Sequence, residues 1–166
     1  MLVADGRVHA VECGLRSDMT SPAAEFIEAM RCGQWREDPG AADFPDDAQI
    51  KHVDLLLSWF DLLAEDGYPP RRTSVNFLED GVWEFKIGAA RLSYFDTDGG
   101  GSYIPKNKIR DRANSQSPDD EEFWWYPIFD EYIRLGYPFP KTGQVAGPTN
   151  IAECLKLRAE DLEHDV

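Results

Sequence analysis

Basic residues concentrate in the middle of the chain, where their side chains could act on an anion. Segment 71–112 carries eight Lys and Arg residues against six Asp and Glu residues, although the whole chain of 166 residues has a formal charge of −14. Guanidinium and ammonium groups bind phosphate oxygens and stabilise the charge that develops when a phosphodiester is cleaved. Each of them could equally be a solvated surface charge. The eight are Arg71, Arg72, Lys86, Arg91, Lys106, Lys108, Arg110 and Arg112.

Two of these cations are predicted to lie side by side on a β-hairpin. Residues 82–87 and 91–96 alternate apolar with polar side chains, and a two-residue turn that starts at Gly88 suits the gap between them. In that register Lys86 lies opposite Arg91 on the polar face, which is unfavourable unless an anion or a neighbouring carboxylate compensates it. A three-residue turn would instead send the two side chains to opposite faces. The sequence favours the shared face.

Two helices are predicted ahead of this hairpin. Ser21 suits an N-cap and the proline after it suits the first helical position, so a helix is expected from there to about Met30. Between residues 46 and 66 apolar side chains recur at helical spacing, and Gly67 ends the pattern. Three further apolar residues widen the stripe of this second helix, which predicts that it is well buried. They are Leu55, Trp59 and Leu62.

Other segments are predicted to complete an α+β domain. Residues 7–13 are typical of a short strand, and another short strand is expected around residues 102–104, where Pro105 limits it. Ser117 and Pro118 are typical of a helix start, and the aromatic-rich stretch 123–133 predicts a core-facing helix in preference to a platform on which nucleic-acid bases stack. Pro127 would either kink this helix or move its start to a later residue.

The C-terminal part predicts a division of the chain. Residues 137–148 contain three prolines and two glycines and are typical of a linker. Residues 149–163 predict an amphipathic helix that could pack back on the body, dimerise or dock a partner. The predicted organisation is therefore a domain over 1–136 followed by a linker and helix over 137–166.

Composition argues against several classes of protein. The chain is 42% hydrophobic and 12% aromatic, enough for a core, but its longest apolar run is three leucines, so no membrane helix is expected. The three cysteines form no CxxC motif and the three histidines are scattered, which predicts reduced thiols, a cytoplasmic location and no metal centre. No secretory signal is expected at the N-terminus. A strongly acidic protein is a poor non-specific binder of nucleic acid. Any site for an anion must therefore be a local cluster of positive charge.

The stretch LLAEDGYPPRRTSVNFLEDGVWEFKIGAARLSYFD, residues 62–96, resembles the phage-derived branch of the RelE/HigB-like toxin superfamily. In that family a helix ends in a hydrophobic-Gly turn, a Leu-x-x-Gly-x-x-Glu segment with a basic residue follows, and a tyrosine-rich strand carries an arginine. The order of elements is also similar over residues 7–135. The matching residues are Gly67, Leu78, Gly81, Glu84, Lys86, Arg91 and Tyr94.

The resemblance implies a fold and an activity. The fold would be a RelE-like α+β fold: a small antiparallel or mixed sheet in the order strand, two helices, three strands and helix, with the two N-terminal helices packed on one face and an extra C-terminal helix. The activity would be that of a metal-independent, cofactor-free endoribonuclease that cuts mRNA, often on the ribosome, and is paired with an antitoxin. Such an enzyme directs the ribose 2′-hydroxyl at the adjacent phosphate, which needs a base, an acid and cations.

The same resemblance implies roles for individual residues. Arg91 would clamp the scissile phosphate, and Lys86 would act as base or as transition-state stabiliser. Where relatives carry a His-Gly-Phe-x-Lys-Lys segment, this chain has SYIPKNKI with no histidine, which leaves Tyr103 and Arg110 as candidates for the acid. The predicted catalytic residues are Lys86, Arg91, Lys106 and Lys108, and the predicted substrate-binding residues are Arg71, Arg72 and Arg110.

A second class of function fits the same sequence. A RelE-fold protein without cleavage activity could bind and regulate a protein partner, as a phage or prophage regulator does. Its acidic surface would then imitate nucleic acid toward a basic partner. Growth and transcript integrity in a bacterial host distinguish the two readings.

Overall fold

The computed structural model describes residues 1–37, 46–141, 143 and 146–165, and these form a six-stranded mixed sheet with three α-helices. The predicted α+β class is confirmed. The strands are β1 (Leu2–Asp5), β2 (Ala10–Cys13), β3 (Val75–Glu79), β4 (Val82–Ile87), β5 (Ala90–Thr97) and β6 (Tyr132–Pro140). The helices are α1 (Pro22–Arg31), α2 (Asp47–Asp66) and α3 (Pro148–Leu162).

The sheet has the strand order β1-β2-β6-β5-β4-β3, in which β2 and β6 are parallel and every other neighbouring pair is antiparallel. The β4–β5 hairpin has the predicted register, with Lys86 opposite Arg91 and Ile87 opposite Ala90. Its two-residue turn starts at Gly88, whose φ of 56° is a backbone conformation that glycine adopts without steric cost. The alternative of a three-residue turn is therefore wrong, and β3 lies at one edge of the sheet.

Two hydrophobic clusters lie on opposite faces of the sheet. On one face, buried side chains of β4 and β5 meet the inner sides of α1 and α2, as the alternation predicts. On the other face, Cys154 and Leu157 of α3 pack against Val82, Phe95 and Phe139. The hairpin residues buried on the first face are Trp83, Phe85, Ile87, Ala90, Leu92 and Tyr94.

Both N-terminal helices begin and end where the sequence predicts. Ser21 Oγ accepts a hydrogen bond from Ala24 N at 3.2 Å, which satisfies one of the free amides at the start of α1. Asp46 caps α2 in the same way, accepting from Ala48 N at 2.9 Å, and Gly67 ends it in the left-handed conformation with φ 79°. Local sequence signals were sufficient here because both caps depend on residues close in the chain.

The predicted burial of the widened α2 stripe is wrong. Leu55 is 46% exposed and Leu62 is 42% exposed, while Trp59 between them is only partly buried. Only one side of α2 packs in the core. Residues on that side, such as Leu56 and Phe60, have no exposed surface. Leu55 and Leu62 lie on the outer side of the helix, which the sheet does not cover, whereas Trp59 lies at the margin and packs against the core cluster.

The C-terminal half contains the largest corrections. Residues 102–104 form no strand, and the helix predicted over 123–133 is wrong, because turns at 121–126 lead into β6 at Tyr132. Within β6, Ile133 and Leu135 alternate toward the core, a period-two pattern that the many aromatics obscured. The predicted linker is wrong for residues 137–140, which belong to β6, so the predicted domain boundary falls inside a strand. The final helix is confirmed.

The N-terminal strand prediction is correct only in its second half. Strand β2 begins at Ala10 because the preceding turn is bonded to the end of α2: Val8 N and His9 N both donate to Ala64 O at 2.9 Å. A Cβ on Gly6 would lie 2.4 Å from the Ala64 carbonyl carbon, so only glycine permits this approach. Strands β1 and β3 were not predicted.

Candidate anion-binding cleft

An open cleft runs along the edge strand β3. It has a cavity volume of about 390 Å³, and one wall is formed by the β3 residues Val75, Asn76 and Phe77. The opposite side comes from the irregular segment between β5 and β6. Basic and aromatic residues contribute most of the remaining lining, and they are Arg72, Lys108, Arg110, Trp124 and Trp125.

Hydrogen bonds from the sheet hold the second wall in place. Trp83 Nε1 on β4 donates to Lys106 O at 2.7 Å, and Gly81 N donates to Asn107 Oδ1 at 2.8 Å. Two residues further on, Ile109 N donates to Trp125 O at 2.9 Å, which ties the basic segment to the tryptophans. A polar, irregular stretch of sequence is thereby given a fixed position beside β3.

The tryptophan pair is supported from behind and remains partly exposed. Trp125 stacks on the buried Trp83 ring with centroids 6.0 Å apart, and Lys108 Nζ lies 5.5 Å from the Trp125 centroid. The Arg112 guanidinium lies 6.0 Å from the Trp124 centroid. Cation–π contacts of this kind pre-orient both the ring and the cation. The cleft therefore combines flat apolar surfaces with positive charge.

The three cations of the cleft are available to a ligand. Arg72, Lys108 and Arg110 are all exposed. Within the described parts of the chain none of them forms an ion pair within 4.0 Å. The one carboxylate in the lining, Glu121, is paired with Arg112 Nη2 at 3.2 Å. A locally positive site thus exists on a strongly acidic protein, and it suits an anion.

Lys86 and Arg91 form a second positive site, on the polar face of the hairpin. They are directly paired across β4 and β5 and both are partly buried. Arg91 Nη1 donates to Gly88 O at 3.0 Å and to Ala90 O at 2.8 Å, so much of its donor capacity is already used. Burial, followed by the neighbouring Arg91 guanidinium, lowers the pKa of Lys86. A lowered pKa raises the fraction of the neutral amine, which is the form that can accept a proton.

Glu84 is the carboxylate that compensates this pair. Its Oε1 lies 3.9 Å from Arg91 Nε and accepts from Asn76 Nδ2 at 3.1 Å. The residue is 3% exposed, and burial raises the pKa of its carboxyl group despite these partners. Its Oε2 atom has no hydrogen-bond partner among the described residues. The alternative of neutralisation by a nearby carboxylate therefore applies to Arg91.

Lys141 adds a third cation near this hairpin, which sequence reasoning missed. It follows β6 directly, and its backbone N–H donates to Ala89 O at 2.7 Å, beside the hairpin turn. Its charge also contributes to the lowered pKa of Lys86. The period-two pattern of residues 132–140 was the signal that could have identified Lys141. It predicts a strand, and a lysine at the end of a strand paired with β5 lies near the turn between β4 and β5.

Lys106 forms ion pairs inside the fold and does not line the cleft. Its Nζ lies 3.0 Å from Asp96 Oδ2 and 3.0 Å from Asp130 Oδ2, and the Asp96 carboxylate is almost completely buried. These hydrogen bonds with the two carboxylates outweigh burial and raise the pKa of Lys106. An ammonium group held by two carboxylates is not available to a phosphate, in contrast to its predicted catalytic role.

The remaining predicted residues are placed as follows. Arg71 is exposed but lies outside the lining of the cleft, whereas Arg72 is part of it. Tyr103 donates its hydroxyl proton to Asp80 O at 3.0 Å, and burial raises its pKa to about 12. The hydrogen bond to this carbonyl would have to break before the hydroxyl group could protonate a leaving group. Arg110, the other candidate acid, lies in the cleft as a cation.

The cleft residues that sequence reasoning missed are Asn76 and the two tryptophans. The aromatic stretch was predicted to face the core, which is correct for Tyr126 and Phe129 but only partly so for Trp124 and Trp125. Pro127 was the available signal. A proline within the stretch makes a continuous helix costly and favours turns that expose some of its side chains.

Comparison with known proteins finds no matching family model, no matching curated protein and no matching solved structure. Among the described residues, no helix is both long and apolar enough to cross a membrane. No group of metal-ligating side chains converges in that same part of the chain. The chemistry of the cleft and of the hairpin is therefore the basis from which a function can be inferred.

Proposed function

We propose that this protein binds single-stranded RNA in the cleft along β3. The observation that carries the proposal is the convergence of three exposed cations and two partly exposed tryptophans on one open cavity. Proteins that bind single strands combine a positive groove for the backbone with aromatic rings on which bases stack. Each tryptophan offers a flat surface, and the cations lie beside it in the same lining.

The geometry favours a single strand over a duplex. The cleft is concave, and its aromatic surfaces can contact a base only if that base is unstacked from its neighbours. A duplex would present a wide, rigid phosphate surface, against which a protein of net charge −14 would be repelled over most of its area. A flexible strand can place a short stretch in the positive cleft and keep its remaining phosphates in solvent.

The RelE/HigB resemblance supports RNA as the ligand and adds a second step to the proposal. In that step the bound strand passes over the β3 edge to the hairpin cations on the other face of the sheet. Lys86 takes the proton of a ribose 2′-hydroxyl, the 2′-oxygen bonds to the adjacent phosphorus as the bond to the 5′-oxygen breaks, Arg91 stabilises the phosphate, and the leaving 5′-oxygen takes a proton from water. The lowered pKa of Lys86 and the shared face of the pair support these roles. The succession of a strand, two helices and the antiparallel strands β3, β4 and β5 is compatible with a RelE-like arrangement, although the sheet has six strands and β6 takes the place of the expected helix.

A non-cleaving protein is the second candidate, and specific observations favour it. Arg91 is engaged by two carbonyls and lies near Glu84, while Lys106 is held between two carboxylates. The lining of the cleft contains no histidine, and its single carboxylate is already paired. In this case the cleft binds RNA or regulates a partner without cutting.

RNA binding is tested by fluorescence anisotropy with a labelled single-stranded RNA oligonucleotide. We expect saturable binding by the wild-type protein and at least about tenfold weaker binding by a Lys108→Ala/Arg110→Ala variant, because two phosphate contacts are lost. Lys156→Ala removes an exposed cation of α3, on the far face of the sheet, and should bind like the wild type. Equal affinity of all three proteins would refute the cleft as the binding site.

Cleavage is tested in a bacterial host that expresses the chain without a partner protein. Growth arrest with fragmented transcripts that is lost in Lys86→Ala and in Arg91→Ala would support the nuclease. Normal growth with intact transcripts, together with RNA binding in vitro, would support the non-cleaving protein. Arrest that persists in both variants would contradict the assigned catalytic roles.

A further inference from the structure

The outer side of α2 carries an apolar stripe that the described elements leave largely uncovered, although its central Trp59 also packs against the core cluster. Leu55, Trp59 and Leu62, here called the α2 stripe, follow one another at helical spacing, and both leucines are more than two-fifths exposed. Side chains at such spacing lie on one side of a helix, over about two turns. The helix beneath them is fixed, because its inner residues are fully buried and both its ends are capped.

Acidic residues border the stripe. Asp54 and Asp61 each immediately precede one of the two leucines, and both are exposed. Within the described parts of the chain neither has an ion-pair partner within 4.0 Å. Asp66 adds an exposed negative charge at the C-terminal end of the helix, where the helix dipole is also negative. The flank of the stripe that contains Asp54 and Asp61 is therefore negative, whereas the exposed Lys51 lies one turn before Leu55 at its N-terminal end.

We propose that the α2 stripe is a docking surface for an amphipathic helix rich in Lys and Arg on a partner protein. A helix laid along α2 can place one apolar side chain per turn between the two leucines and the indole ring of Trp59. Its basic residues then lie beside Asp54 and Asp61. The partner's charge follows from the border, and its helical form follows from the spacing of the stripe.

The same border disfavours other occupants. In a symmetric pairing of two copies the stripe would face its own equivalent, which brings the acidic borders together and costs energy. An anionic membrane surface would be repelled for the same reason. The stripe shares no residue with the lining of the cleft, so this surface is independent of the proposed RNA site.

The probe for this surface is a synthetic peptide of about four helical turns, with leucines on one face and lysines elsewhere. Titration calorimetry with the full-length protein should show saturable binding. A peptide with the lysines replaced by glutamates, and a scrambled peptide of the same composition without an apolar face, should each bind at least about tenfold more weakly.

Protein variants locate the site. Leu55→Ser/Leu62→Ser should weaken binding at least about tenfold, because both apolar contacts are lost, whereas Leu2→Ser removes an equally exposed leucine from β1 and should change nothing. Asp54→Asn/Asp61→Asn should weaken binding a few-fold at low salt and flatten its salt dependence. Circular dichroism melts verify that every variant is folded.

Four outcomes would overturn the proposal: no saturable binding of the lysine peptide, equal binding of the glutamate or scrambled peptide, unchanged binding by Leu55→Ser/Leu62→Ser, or unchanged binding and salt dependence in Asp54→Asn/Asp61→Asn. The third would show that the peptide binds elsewhere on the acidic surface by charge alone. The expected pattern, with loss in both double variants and not in Leu2→Ser, would establish the α2 stripe as the site.

Discussion

The cations of the cleft and the cations of the sheet have the same chemistry but different surroundings. Lys108 and Arg110 are exposed on an irregular segment beside the edge strand, and no carboxylate among the described residues pairs with them. Lys106, only two residues before Lys108, is held by a carboxylate of the central strand β5 and by one that lies just before β6. Arg91 is bonded to two carbonyls of its own turn.

This difference shows that burial decides which positive residues can bind a ligand. A buried cation must be compensated to offset its lost hydration, so its charge is used by the fold. An exposed cation keeps its hydration and can exchange it for a phosphate. The chain has 31 acidic residues that can neutralise its cations. Exposed Lys and Arg residues that form no ion pair among the described residues therefore indicate where an anionic ligand can bind.

The largest expected effect is on stability and concerns Lys106. Lys106→Met keeps the apolar length of the side chain but leaves the buried Asp96 carboxylate without its cation, so the free energy of unfolding should fall by about 3 kcal/mol. Lys108→Met, the control, should change it by less than about 0.5 kcal/mol because that side chain is exposed. Urea unfolding measures both. Equal, small effects would show that Lys106 does not carry the ion pairs described here.

The next effect is on RNA affinity and concerns the stacking surface. Trp124→Ala should weaken binding of single-stranded RNA about tenfold, and by a similar factor for uridine-rich and adenosine-rich strands, because every base has a face on which to stack. Trp59→Ala removes a partly exposed tryptophan that is not part of the cleft and should leave the affinity unchanged. Loss of binding to one base only would indicate hydrogen-bonded recognition in place of stacking.

The smallest expected effect is a pH dependence at the hairpin. Because burial raises the pKa of Glu84, the folded state favours the protonated carboxyl group, so its contribution to stability is greatest below its ordinary pKa and declines as the pH rises through the raised value. Glu84→Gln cannot ionise. The unfolding free energy of the wild type, measured relative to this variant, should therefore fall as the pH rises above about 4.5, the ordinary pKa of a glutamate carboxyl group. A rise would mean that Arg91 and Lys86 stabilise the carboxylate more than burial destabilises it.

The features that the sequence predicts well depend on residues close in the chain. The two-residue turn sets the pairing of Lys86 with Arg91, and alternation sets which face each side chain takes. The caps at Ser21 and Asp46 act within one helical turn. Each of these features is determined over about a dozen residues or fewer, so pattern and propensity are sufficient.

The features that it predicts poorly depend on distant parts of the chain. Strand β6 lies between β2 and β5, so its conformation is determined by partners far away in the sequence. The cleft follows from that placement, because the turns before β6 bring Trp124 and Trp125 beside β3. No local pattern distinguishes Lys106 from Lys108, since only the folded chain brings Asp96 and Asp130 to one of them.

The most direct test of the cleft is a chemical-shift titration of the isotopically labelled full-length protein with a single-stranded RNA oligonucleotide. We predict saturable shifts in the indole N–H signals of Trp124 and Trp125 and in the amides of Val75 to Phe77, and their loss in the Lys108→Ala/Arg110→Ala variant. Shifts confined to the Lys86–Arg91 hairpin with the cleft signals unmoved, or no shifts at all, would contradict the account.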